Sequence, residues 1–145
     1  MTIAVDFDGT IVTHEYPAIG RERPFAVDTL KMLIADGHRI ILWSVREGEL
    51  LEEAVKWCED RGLKLFAVNK DFPEEEVDAY KDHSRKLKVD MFIDDRNVGG
   101  LPDWGTIYQI ISMKKTYEQI IEERSHRPLN GNMPDDAPKK KWWQF

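Results

Sequence analysis

Thr2-Ile3-Ala4-Val5-Asp6-Phe7-Asp8-Gly9-Thr10 is an apolar run that ends in two carboxylates one residue apart, followed by a Gly-Thr step. A short apolar run bounded by turn residues reads as a strand buried on both faces of a parallel sheet. Ligands of open α/β sheets sit outside the carboxyl ends of the strands, which is where Asp6 and Asp8 fall. Residues two apart share a face on extended backbone, and Gly9 relaxes the chain there, so both groups could turn to one ion. The rival reading makes Asp8-Gly9 a type I′ hairpin between β-like runs at 3–7 and 10–13. Two further apolar runs weigh against it, Ile40-Ile41-Leu42-Trp43-Ser44 and Met91-Phe92-Ile93-Asp94-Asp95. A hairpin explains neither. A parallel sheet whose strand ends converge on one site explains all three.

Between these runs the apolar period changes to that of a helix. Val27, Leu30, Leu33 and Ile34 predict a helix over 25–36 stopped by Gly37, and a strand follows at 39–43. Leu51, Ala54, Val55 and Cys58 form the stripe of a helix over 47–61 that Gly62 ends, which makes Cys58 a core residue and not a nucleophile. A short strand is expected at 63–68, an acidic mixture of loop and short helix at 69–84, and another strand at 89–93. Trp104, Ile107, Tyr108 and Ile111 make a further stripe. Tyr117, Ile120 and Ile121 resume it out of phase, which predicts a break near 112–114. The alternation gives an α/β fold of three layers, α/β/α, with a mostly parallel sheet.

Composition bounds the rest. The 145 residues suit one domain with a sizeable core, and 41% hydrophobic with 33% charged residues suits a soluble globular protein. A net charge of −6 weighs against general nucleic-acid binding without excluding it. The single cysteine rules out an internal disulfide, and no Cys/His cluster suggests zinc. No apolar stretch reaches the length of a membrane span and no signal peptide precedes the first strand, so a cytoplasmic protein without a membrane partner is expected. Residues 1–127 are expected to form the folded domain that carries the site. Residues 128–145 read as a tail without a core of its own. Lys139-Lys140-Lys141-Trp142-Trp143-Gln144-Phe145 could stack bases, but in an acidic chain docking on protein is favoured. The tail would then dock on its own domain or on a neighbouring subunit, giving a homo-oligomer.

Asp6, Asp8, Asp94 and Asp95 would repel one another if they met at one sheet edge. Two remedies exist: a hard cation with oxygen ligands, for which Mg2+ is suited, or a fixed positive charge such as Arg85-Lys86-Leu87-Lys88 offers.

Asp6-x-Asp8-Gly9-Thr10 after a strand, Ser44 after a second, Lys86 before a later strand and Asp94-Asp95 at its end together resemble the motifs of the haloacid dehalogenase (HAD) superfamily. They occur in that family's order and span residues 3–97. The resemblance implies a Rossmann-like fold and a Mg2+-dependent phosphohydrolase acting on phosphate monoesters. Asp6 would be the nucleophile that forms an aspartyl-phosphate, and Asp8 the general acid and then the base. Ser44 would hydrogen-bond a phosphoryl oxygen, and Lys86 would stabilise Asp6 and the phosphoryl charge, with Arg85 and Lys88 as alternatives. Asp95 would contact the metal directly and Asp94 through water or on the lysine. Asp6 and the backbone carbonyl of Asp8 would complete the metal's protein ligands. Gly9, Thr10 and Arg46 are placed against the substrate. An aspartate at position 8 favours phosphate esters over carbon–halogen bonds, and the motif spacing leaves no room for a cap domain. Two other readings stand beside this one: a phospholigand-binding module without turnover, and a receiver-type signalling domain, against which the order of lysine and acidic pair weighs. The phosphorylated substrate, small or large, is left open.

Overall fold

The computed structural model describes residues 1–76 and 84–126. The expectations for the C-terminal tail, its docking through Trp142, Trp143 and Phe145 and any oligomer built on it, lie outside the described residues.

Strands β1 (Thr2–Val5), β2 (Arg39–Leu42), β3 (Ala67–Val68) and β4 (Met91–Ile93) form one parallel sheet in the order β3-β2-β1-β4. The chain is an α/β protein with a Rossmann-like sheet, as its alternating pattern predicts. Alternation along the strands sorts their side chains to two faces. Ile3, Val5, Ile40, Leu42 and Ile93 point to one face and pack there with Ala26, Leu30, Leu33, Ala54, Cys58, Ile107 and Ile111 from three helices. Each fully buried Ile or Leu in that layer contributes about 1.5–3 kcal/mol. Ala4, Ile41, Ala67 and Phe92 point to the other face, where Leu87 and Val89 pack against them. The reason lies in the connections. β3 and β4 occupy opposite edges, and Leu87 and Val89, which lead into β4, lie on the face that the β1–β2 and β2–β3 crossovers leave free.

Those crossovers are α1 (Ala26–Ala35) and α2 (Gly48–Asp60); α3 (Trp104–Met113) and α4 (Tyr117–Ser125) follow β4. Asp103 caps α3 by accepting the Thr106 N–H at 2.9 Å, and Thr116 with Gln119 forms a capping box on α4. The predicted break falls at Lys114, whose φ of 52° ends α3. The third strand is shorter than the expected 63–68. It is an edge strand that finds only Ile41 and Leu42 to pair with, while Leu63 turns into the core. No helix among the described residues is long and apolar enough to cross a membrane.

Candidate active site

The parallel register carries the site. Val5 pairs with Ile93, so one residue further on Asp6 comes beside Asp94, and the Asp6 N–H still donates to the Ile93 carbonyl at 2.9 Å. Beyond that point β1 does not continue into a hairpin. The Phe7 carbonyl accepts from the backbone N–H groups of Thr10, Ile11 and Val12, a compact turn that brings Thr10 back under the strand end. The Thr10 hydroxyl lies 2.9 Å from Asp6 Oδ2 and 3.2 Å from Asp95 Oδ1, and it accepts the Asp95 backbone N–H at 3.0 Å. One hydroxyl thus ties both acidic motifs together. Trp104 Nε1 donates to the Thr10 carbonyl at 3.1 Å and anchors the turn to α3. Gly9, at φ +87°, lies against Asp95, and a Cβ there would collide with that carboxylate.

One carboxylate oxygen from each of Asp6, Asp94 and Asp95 lies within 4.8 Å of the others. Burial, then the charge of Asp94 and the proximity of Asp95, push Asp6 up to about 7, with the Thr10 hydroxyl acting against them. Three hard oxygen donors at this spacing fit a magnesium ion, whose octahedral ligand atoms stand about 3–4 Å apart at bond lengths of about 2.1 Å.

Asp8 is turned elsewhere. Its carboxylate, 7% exposed, accepts from Arg46 Nε at 2.7 Å on Oδ2 and from Arg46 Nη2 at 2.7 Å on Oδ1. Arg46 is fully buried. It follows β2 by four residues and is roofed by the segment 13–22, which leaves the strand end and returns through an antiparallel bridge between Val12 and Glu22. From that segment the carbonyls of Pro17 and Ala18 accept from Arg46 Nη1 and Nη2 at 3.2 and 3.0 Å, and the Tyr16 ring lies 5.3 Å from the guanidinium carbon. The Leu50 carbonyl in the first turn of α2 accepts from Nη1 at 3.3 Å. The hydrogen bonds to Asp8, against the opposing effect of burial, raise the guanidinium's hold on its proton. The expectation that Arg46 meets the substrate is therefore corrected: all five of its N–H groups are spent inside the protein.

Ser44 stands at the end of β2 with its hydroxyl oxygen accepting the Arg46 backbone N–H at 3.1 Å, which leaves its own hydrogen to donate. The Asn69 side chain splints it, accepting from the Ser44 N–H at 2.8 Å and donating to the Ser44 carbonyl at 2.9 Å. Lys86 is not brought to Asp6. Its ammonium lies 5.7 Å from the Phe92 ring centre and forms no ion pair among the described residues. Nor does Arg85 or Lys88, so the expected counter-charge on Asp6 is absent from this arrangement. Asn69, Trp104 and the true role of Arg46 were missed in the sequence. Only Asn69, a turn residue directly after an apolar run, left a usable signal.

The fold and the site define an α/β protein with a parallel sheet and an acidic cluster at its carboxyl edge. No protein-family model and no curated protein matches the chain. Among solved structures, a conserved protein coded by a locus of Bacteroides thetaiotaomicron is similar to it, with a TM-score of 0.77 and 66% sequence identity over 83% of this chain and 96% of that one. The chain belongs to the family of that protein.

Proposed function

We propose that the protein is a Mg2+-dependent phosphohydrolase of the HAD type that transfers a phosphoryl group to Asp6 and then to water. The observation that carries this reading is the convergence of Asp6, Asp94 and Asp95 to within 4.8 Å at the carboxyl edge of two paired parallel strands. Asp6, Asp94 and Asp95 would hold the ion, which when bound neutralises carboxylate and phosphoryl charge. Asp6 attacks phosphorus. Ser44 donates its hydroxyl hydrogen to a phosphoryl oxygen, and the Thr10 hydroxyl fixes the rotamers of Asp6 and Asp95. Phosphoryl transfer asks for little else than such positioning and charge neutralisation.

Hydrolysis of p-nitrophenyl phosphate with and without Mg2+, on the wild type and on Asp6→Asn, tests the reading. Metal-dependent turnover that Asp6→Asn abolishes supports it. Turnover that survives in Asp6→Asn refutes it, and metal binding without any turnover would favour a phospholigand-binding module.

A further inference from the structure

An arginine with no exposed surface and no N–H left over is an expensive group to bury, and its chief partner is the aspartate expected to act on the leaving group. Both Asp8 oxygens receive guanidinium hydrogens at 2.7 Å in a fork, the strongest arrangement a carboxylate makes with a side chain. The fork is itself held by three carbonyls, two from the segment 13–22 and one from α2. Asp8 can therefore turn toward the acidic cluster only if these contacts yield together. It is also absent from the trio of carboxylates that approach one another.

We propose that Arg46 is a positioning residue that keeps the Asp8 carboxylate away from the leaving group. The substrates are then phosphoric anhydrides, acyl phosphates included, in preference to alkyl phosphate monoesters. This rests on the phosphoryl-transfer reading above and deepens it. An alkoxide needs a proton as it departs; a phosphate or carboxylate does not. In the first step a lone pair of the Asp6 carboxylate forms the O–P bond. The bond from phosphorus to the bridging oxygen breaks, and its electron pair leaves on a stable anion. In the second step water attacks phosphorus, the pair of the Asp6–phosphorus bond returns to the carboxylate, and both water hydrogens depart on inorganic phosphate. Neither step draws a proton from Asp8.

The test is a leaving-group series on the wild-type protein with Mg2+: acetyl phosphate, pyrophosphate, aryl phosphates of graded acidity, and glycerol phosphate. The expected result is a steep dependence of kcat/KM on leaving-group acidity. Glycerol phosphate should fall behind p-nitrophenyl phosphate and the anhydrides by about the 10²–10⁴-fold that a general acid supplies. Arg46→Lys keeps the charge but cannot fork, and should narrow that gap. A merely structural role would lower every rate alike and leave the gap unchanged, which would overturn the assignment to Arg46. A wild-type enzyme that turns over glycerol phosphate within about tenfold of p-nitrophenyl phosphate overturns the inference while leaving phosphoryl transfer intact. No Asp6-dependent turnover of any member would overturn both.

Discussion

Asp6→Asn should make the metal-free protein more stable at alkaline pH, which is unusual for a change at the centre of a site. Folding raises Asp6 from 3.8 to about 7, chiefly by burial and by the charge of Asp94. Between those values the folded state holds a proton that the unfolded state releases, so stability falls as pH rises through that window. Above it the folded protein carries an ionised Asp6 that its surroundings disfavour. A shift of about three units corresponds to about 4 kcal/mol at 1.36 kcal/mol per unit. The side chain is only partly buried, and solvent screening reduces this to about 1–2 kcal/mol. Asparagine keeps the shape and still accepts from Thr10, so the relief should appear as a rise of about 3–6 °C in Tm for a chain of this size.

Thermal melts of both proteins in EDTA between pH 4.5 and pH 8.5 check this. The gap should be widest at the alkaline end and close toward the acidic end. Added Mg2+ should then raise the wild-type Tm more than that of Asp6→Asn, because it binds the folded state through the ligand that the variant lacks. Parallel pH profiles, or an Asp6→Asn protein less stable than wild type at pH 8.5 in EDTA, would refute the account of the cluster.

Asp95→Ala should abolish the Mg2+-dependent rise in Tm, whereas Lys86→Ala should leave it within about 1 °C, since an ammonium is not a magnesium ligand; titration calorimetry gives the same comparison directly. Arg46→Met should cost about 3–5 kcal/mol by leaving Asp8 buried without its partner, visible as a lower urea midpoint; an unchanged midpoint would show that Asp8 finds another partner. Gly9→Ala should cost about 1–3 kcal/mol through its positive φ and weaken Mg2+ binding by displacing Asp95, and intact metal affinity would contradict the packing seen here. Cys58, buried and with its thiol pushed up to about 12 chiefly by burial, should resist a thiol reagent in the native protein and react fully in guanidinium.

What the sequence disclosed, and what it hid, divides along a physical line. The strand positions of Ile3–Val5 and Ile40–Leu42 and the helix stripe of Val27, Leu30 and Leu33 were legible because burial in a sheet or against it imposes a period. The approach of Asp6 to Asp94 was legible for the same reason, since each ends a run that reads as a buried parallel strand. The extent of β3 was not, because an edge strand's length depends on how much of β2 is free to pair, a property of the partner. Neither was Lys86. A long cationic stem can reach several groups, and the ring of Phe92 that it lies over sits on a face of the sheet that local sequence does not reveal.

Arg46 was the hardest to read. One position after the exposed Val45, in a turn before a helix, it has every mark of a solvated arginine, and only the return of the segment 13–22 over it makes it buried. Its placement sharpens the meaning of the cluster beside it. Four aspartates gather at this edge, and the protein supplies a fixed counter-charge to one of them, Asp8, at 2.7 Å on both oxygens. The Asp6 and Asp95 carboxylates meet the Thr10 hydroxyl and Asp94 accepts the Arg96 backbone N–H, but the three receive no cation from the described residues. If neutralising acidic side chains were all this edge had to achieve, a second arginine would serve the trio as Arg46 serves Asp8. Burial first, and then the charge of Asp94, raise Asp6 to about 7, and an exchangeable divalent ion bound there would offset the charge that the described residues leave unmatched. Among the described residues the two aspartates of the first motif therefore differ: Asp8 is committed to Arg46, while Asp6 has no fixed cation, as the proposed reading of Asp6 as a metal ligand and phosphoryl acceptor requires.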